Sequence, residues 1–272
     1  CEDIILHRRR NLWERKIESD DFLTVRVGIG DLPLNAEIQY PAKEFTMEDD
    51  NLVEILNTIA NKSKILKDVP ITYSMVEKDI SALIVKSNPR LKEKFIQNLV
   101  IQLVALHSYN DLKLVFLLNK DTAWKWEHLK TLPHIWDDTK QVRFWADDYN
   151  DMKEISTYLE AELTNRINVK QSDVDYKNYR PYYLIITDDY KKIENLKIIN
   201  NILSMKRNLG FSLFCITDNL LHLPNECKLF IKLDENQGSL YENEMTYEAE
   251  KDFKFDSTYT FFFENLGKRL SN

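Results

Sequence analysis

Glycine is scarce in this chain: 5 in 272 residues, alongside 7 prolines and 3 cysteines. So few glycines and prolines leave little room for a flexible linker. Cys1, Cys215 and Cys227 have neither the spacing of a disulfide framework nor that of a zinc site. Cys215 lies within an apolar run and reads as a small core residue, and this usage fits a reducing cytoplasm. No apolar run approaches the ~20 residues that span a bilayer, and no signal peptide opens the chain. Positive charge is not in excess: 37 Lys and Arg against 44 Asp and Glu give a net charge of −7. An acidic surface repels phosphate backbones, which argues against nucleic acid as the main ligand. Catalytic signatures are missing too. There is no G-x-x-x-x-G-K-S/T loop and no G-x-S-x-G elbow, and His7, His107, His128, His134 and His222 are scattered without metal spacing. Gly28-Ile-Gly30 runs into an Asp-Leu-Pro turn and carries no dinucleotide signal.

What remains is a globular composition, 43% hydrophobic and 30% charged. The length suits one large α/β domain, or one domain with an appendage. Residues 1–20 read as a charged helix. Its first residue falls in what reads as mid-helix, so a piece of a longer protein is expected. Arg8, Arg9 and Arg10, with Arg15 and Lys16, form one basic run. It reads as a solvated helix face, or as a neighbour of anionic lipid if a membrane anchor lies upstream. Leu23 to Ile29 alternates as an amphipathic strand, with a shorter one at Glu37 to Tyr40. Thr46 to Asp49 forms a capping box opening a helix whose buried face is Leu52, Ile55, Leu56 and Ile59. Ile71 to Val76 is a further strand, followed by a turn at Glu77 to Asp79.

From Ile80 onward, strands and helices alternate. Strands are expected at Ile80 to Val85, Leu112 to Leu118, Val142 to Trp145, Tyr182 to Thr187, Phe211 to Thr217 and Lys228 to Leu233. Helices are expected from Asn88-Pro89 to His107, Asp151 to Ile167 and Ile193 to Lys206. Gly238 to Tyr241 and Tyr247 to Phe253 read as an edge hairpin, and Thr258 to Leu270 as a closing helix. The pattern predicts a mostly parallel α/β sheet flanked by helices, with a small N-terminal α+β extension over 1–75 and the main domain over 76–272. The stretch from Tyr182 to Asp218 is the most telling. An apolar strand ends in Asp188-Asp189, a helix follows, and a second apolar strand ends in Asp218, as in the centre of a RecA-like motor ATPase.

In such a motor a glycine-rich loop follows the first core strand, because backbone N–H groups must turn inward to reach the phosphates. The corresponding place here is Val85 to Lys92. It has no glycine, and Pro89 removes a donor. Ser87, Asn88, Arg90 and Lys92 are therefore degenerate nucleotide-site positions: Arg90 or Lys92 can meet an anion but cannot rebuild the cradle, and a plain strand-to-helix turn is the simpler reading. Asp188 stands where a motor holds magnesium and Asp189 where it orients water, although strand-end acids are often mere turn formers. Trp124-Lys-Trp126 and Leu132-Pro-His134 read first as packing and second as a contact surface.

Several stretches together resemble the type VII secretion ATPases, the EssC/EccC branch of the FtsK/SpoIIIE family. They are Leu12-Trp13-Glu14-Arg15, Phe22 to Asp31, Leu99 to His107 with Asp111-Leu112, and Trp124-x-Trp126 with Leu132-Pro133-His134. Lys206 to Leu213 is similar to that family's G-R-A-x-G-I-H-L step, and the family's sensor glutamine would fall at Asp218. The resemblance implies the cytoplasmic region between the membrane segments and the first motor domain of a bacterial cell-membrane ATPase. Departures at the loop, the acid pair and the sensor imply a degenerate, non-catalytic RecA-like domain with no cofactor. Mg-ATP, with Asp188 on the metal, belongs to the alternative of a divergent nucleotide-binding domain. The partners implied are other type VII secretion membrane components, downstream ATPase domains of the same chain, and neighbouring copies. The membrane is reached through an upstream segment, and no nucleic acid is bound.

Overall fold

Four near-continuous apolar runs bury both faces of one sheet, and this organises the molecule. The computed structural model describes residues 1, 4–5, 10–34, 64–86, 88–168, 175–235, 237–243, 251–256, 266 and 270. The expected strand at 37–40, the capping box and helix at 46–59, Ser87, and most of the closing helix lie outside the described residues. Leu266 and Leu270 of that helix are helical and buried.

Among the described residues ten strands form a single sheet in the order β2-β1-β10-β9-β8-β3-β7-β6-β4-β5. They are β1 (Thr24–Pro33), β2 (Ile65–Ser74), β3 (Ile80–Val85), β4 (Leu112–Leu117), β5 (Trp145–Ala146), β6 (Tyr182–Thr187), β7 (Phe211–Thr217), β8 (Leu229–Asp234), β9 (Gln237–Glu242) and β10 (Lys251–Phe255). From β8 to β5 every pairing is parallel. From β8 back to β2 every pairing is antiparallel. β3, β4, β6 and β7 are buried along their whole length, as strands covered on both faces must be. β1 and β2 continue the sheet through β10, and Pro70 sits on the edge strand, where a missing donor is tolerated.

Helix α1 (Pro89–Leu106) covers one face through Leu91, Phe95, Leu99, Leu103 and neighbours, packed on Leu83, Leu114, Phe116, Leu184 and Phe214. On the other face lie α3 (Tyr149–Ile167) and α5 (Lys197–Ser204), over Ala82, Val115, Tyr183, Ile185 and Leu213. Two short helices, α2 (Lys120–Ala123) and α4 (Tyr190–Ile193), follow β4 and β6. Strand residues two apart thus serve the same layer, the period expected of a pleated sheet.

Four expectations need correction. β9 and β10 pair as the expected hairpin, but they lie inside the sheet between β8 and β1 and not on its edge, because β1 adds to the outer side of β10. Residues 10–20 are turns, not helix. Trp13 has a positive φ of 58°. Its backbone and indole N–H groups donate to Ala105 and Val104, and the Arg15 N–H donates to Leu106. The segment therefore satisfies the last carbonyls of α1, which a helix end leaves unpaired. The helix expected from Ile193 to Lys206 is broken: Leu196 is extended (ψ 133°), and this lets both Ile193 and Leu196 reach the core. The strand expected over 142–145 shrinks to Trp145–Ala146 because the Asp137 carboxylate accepts from the Val142 and Thr139 N–H groups and holds that segment in a loop.

Arg166 braces the opposite end of the sheet from the candidate site. Its buried guanidinium donates to the carbonyls of Leu209 (2.8 Å) and Pro181 (2.7 Å) and lies over the rings of Phe211 (4.8 Å), Tyr183 (5.2 Å) and Tyr179 (5.4 Å). Burial lowers its pKa from the usual arginine value. Gly210 is needed beside it: its φ is +88°, and a Cβ there would collide with Arg166 Nη1.

Candidate functional site

Because the six central strands are parallel, the loops after β3, β7, β6 and β4 open side by side on one edge. In open α/β sheets this carboxyl edge is where ligands bind. Asn88, Arg90 and Lys92 follow β3, Asp218 follows β7, and Asp188 and Asp189 follow β6. The strand order brings all these sequence-predicted positions onto this edge; adjacent strand ends are about 4.8 Å apart, so β3 and β6 are separated by roughly 10 Å. Ser87 belongs to the same turn but lies outside the described residues.

The start of α1 can be accounted for donor by donor. Pro89 has no N–H. The N–H groups of Arg90 (3.1 Å) and Leu91 (3.2 Å) donate to Asn88 Oδ1. The Lys92 N–H donates to the Asn88 carbonyl at 3.3 Å. A helix start binds phosphate through these same first amides, and here a single asparagine occupies them all. No glycine lies between Val85 and Lys92, so the backbone cannot fold inward as a cradle.

The acids are also engaged. Asp188 Oδ1 accepts the Asn119 N–H at 2.7 Å, and Asp188 Oδ2 accepts the Thr122 hydroxyl. The Asn119 side chain donates to Asp189 Oδ2 at 2.9 Å and, through its own oxygen, caps α2 by accepting the Asp121 N–H at 3.1 Å. The Asp189 N–H is held by Thr187 Oγ1 at 3.2 Å. Both oxygens of the carboxylate that would hold magnesium are thus used to tie the β4–α2 turn to β6. Asp218 is exposed beyond β7, next to a tight turn in which Thr217 Oγ1 and Asn219 bond each other. Among the described residues no group of three or more His, Cys, Asp or Glu side chains is arranged to hold a metal. The first α1 amides and both Asp188 oxygens therefore already have partners within the chain.

Asn119 and Thr122 were not singled out from the sequence. The available signal was an N-cap residue, Asn119, immediately after an apolar strand. The aromatic pair divides: Trp126 is buried, whereas Trp124 is 68% exposed on the α2 turn, its indole N–H on the Asp121 carbonyl at 3.1 Å. Two of the scattered histidines also prove to be joined. His107 Nδ1–H donates to Leu103 and its Nε2 accepts the Leu23 N–H, while His134 Nε2–H donates to the His107 carbonyl at 2.9 Å. Burial holds His107 down at about 4 and His134 at about 3, so both are neutral and structural.

This sheet order, with helices on both faces and a carboxyl-edge site, is the RecA-like fold of the P-loop motor ATPases, here without the loop. The solved cytoplasmic domain of the Thermomonospora curvata type VII secretion ATPase EccC superposes with a TM-score of 0.62 over 95% of this chain and 32% of that one, at 13% identity. EssC ATPases 2 and 3 from Geobacillus thermodenitrificans give 0.61 over 97% and 51%, at 11% identity. No family model matches. In sequence the chain is similar to ESX secretion system proteins. It is 23% identical to the EccC of Geobacillus thermodenitrificans over 241 residues (88% of this chain, 16% of that one), and 22% identical to YukB of Bacillus subtilis over 233 residues (84% and 15%). The chain therefore spans about one sixth of the length of these relatives. No helix among the described residues is long and apolar enough to cross a membrane.

Proposed function

We propose that the chain is a non-catalytic, membrane-proximal assembly and regulatory domain of a type VII secretion ATPase, the degenerate RecA-like unit over 76–272 with its extension over 1–75. It couples a membrane channel to downstream FtsK/SpoIIIE-type motor domains of the same polypeptide. Its contacts are with other secretion components of the membrane, with those motors and with neighbouring copies. One observation carries this reading: the first α1 amides are spent on Asn88 and both Asp188 oxygens on Asn119 and Thr122, so neither half of the nucleotide edge is left for a ligand. A carboxylate and a helix start so fully paired gain nothing by exchanging those partners for a solvated ion.

The second reading is a divergent nucleotide-binding domain with weak or regulatory ATP binding. It is favoured by the exposed Arg90 at the start of α1, on the same edge as Asp188. Calorimetric titration with Mg-ATP separates the two. The expected result is no saturable heat and no thermal stabilisation at millimolar ligand. Saturable binding lost in Asp188→Ala overturns the first reading in favour of the second.

A further inference from the structure

We propose that the carboxyl edge of the parallel sheet is a protein-docking edge whose partner presents an apolar side chain flanked by lysine or arginine. The proposal rests on the non-catalytic reading above and adds to it the surface used and the chemistry of what it takes.

Seven large apolar side chains are exposed among the described residues, and four of them stand on this edge: Trp124 (68%), Tyr149 (45%), Leu220 (39%) and Leu221 (85%). They come from three loops, after β4, β5 and β7. These strands lie within three positions of each other, so the loop bases fall within roughly 15 Å, about the footprint of one helix. The loops are held in place. The Trp124 turn is tied by Asn119 to Asp188 and Asp189, the Leu221 N–H donates to Asn219 Oδ1 at 3.1 Å, and Asp148 caps the helix carrying Tyr149 through the Asn150 N–H at 2.8 Å. Apolar groups fixed together in water at one edge mark an interaction surface. Lys153 lies over the Tyr149 ring at 5.3 Å.

Charge identifies the partner. Asp147, Asp148 and Asp151 surround Tyr149, Asp121 precedes Trp124, and Asp218 precedes Leu220. Lys125, 5.8 Å from the Trp124 ring, is paired with Glu93 at 2.8 Å. Lys86 and Arg90 stand at the β3 corner and Lys191 and Lys192 after β6, so the acidic excess is concentrated at the β5 loop, where three aspartates accompany Lys153. A partner whose cations lie over the β4 and β5 loops is attracted, whereas an anionic membrane is repelled by the same acids.

The test places benzoylphenylalanine at position 124 or 221 in the full-length, membrane-embedded protein, with position 167, at the C-terminal end of α3, as the control. Expected are adducts from 124 and 221 to one protein segment that carries Lys or Arg within a helical turn of the captured residue. Their yield should fall about tenfold in Asp147→Lys/Asp151→Lys, where like charges now meet and the Asp148 cap is left in place. The proposal is overturned by adducts no stronger than those from position 167, by adducts to lipid or to an acidic segment, or by a yield that ignores the charge reversal. Saturable Mg-ATP binding by the same protein would instead remove the non-catalytic reading, whatever the adducts show.

Discussion

Replacing Asp188 is the sharpest way to separate a retained metal ligand from a structural tie. Asp188→Ala removes two acceptors, one for the Asn119 N–H at 2.7 Å and one for the Thr122 hydroxyl. A hydrogen bond to a charged group contributes about 1.5–3 kcal/mol. Asp188 is only half-buried and water can replace part of each bond, so the expected loss is near 2–3 kcal/mol for the pair. Asp188→Asn should cost no more than about 1 kcal/mol, because its amide oxygen still accepts from Asn119 and its NH2 can donate to the Thr122 oxygen. Urea unfolding reads the difference. With a slope of about 3 kcal/mol/M, the Ala variant should lose about 0.7–1 M in midpoint and the Asn variant about 0.3 M. A metal-holding carboxylate gives another pattern: Ala and Asn would abolish Mg-ATP binding alike and hardly move the midpoint. Equal midpoints for both variants, or an Ala loss below about 0.5 kcal/mol, would refute the reasoning.

Two further outcomes follow from the buried polar groups. His107 and His134 are neutral in the fold, with pKa values of about 4 and about 3 against about 6.5 in the unfolded chain. As the pH falls below 6.5 the unfolded state takes up protons first, so stability is full above 6.5 and drains away toward pH 4, by about 1.4 kcal/mol per pH unit per histidine. Urea midpoints at pH 7.5 and 5 should show this, and His107→Gln should roughly halve the slope; a flat profile would contradict the burial. Arg166→Met should cost about 3–5 kcal/mol, since the carbonyls of Leu209 and Pro181 lose their donor inside the core. Arg166→Lys should recover only a minor part, because an ammonium cannot fork between both carbonyls while lying flat on three rings. Thermal denaturation of the two variants side by side decides this.

The parallel core was legible because fully buried strands are plain in sequence. Ile80–Val85, Tyr182–Thr187 and Phe211–Thr217 were read with the bounds they have in the structure. Asn88 with Pro89 likewise announced the start of α1. The misreadings fall where a long-range bond outweighs local preference. Residues 10–20 have a helical composition, but their N–H groups are drawn to the end of α1, 91 residues away for the Trp13 indole. The loop over 137–142 is held by one aspartate, which propensity does not register. At the site, the missing glycines were readable and the positions at risk could be named. The Asn119–Asp188 tie was not readable, because it joins residues 69 apart through a single side chain. The meeting of His107 and His134, brought about by a backbone carbonyl, leaves no spacing rule to find.

A fold can outlive its chemistry because the two ask opposite things of the same groups. A nucleotide site needs amides and carboxylates left unpaired until a ligand arrives, and unpaired buried polar groups cost stability. The layers of this sheet depend on none of them: Leu83, Phe116, Ile186 and Phe214 bury against α1, and Val115, Ile185 and Leu213 against α3 and α5, whatever stands at the strand ends. On the non-catalytic reading proposed above, any residue that satisfies an edge group internally stabilises the domain. Asn88 and Asp188 are in that position. The first caps the helix that would have met phosphate, and the second anchors the turn that would have framed the base. The same hydrogen bonds tie down the turns of this edge, which carries the exposed Trp124 and Leu221. The absence of glycine between Val85 and Lys92 thus acts in both directions: it withholds the conformational freedom that a phosphate cradle requires and favours the order that the proposed docking surface requires.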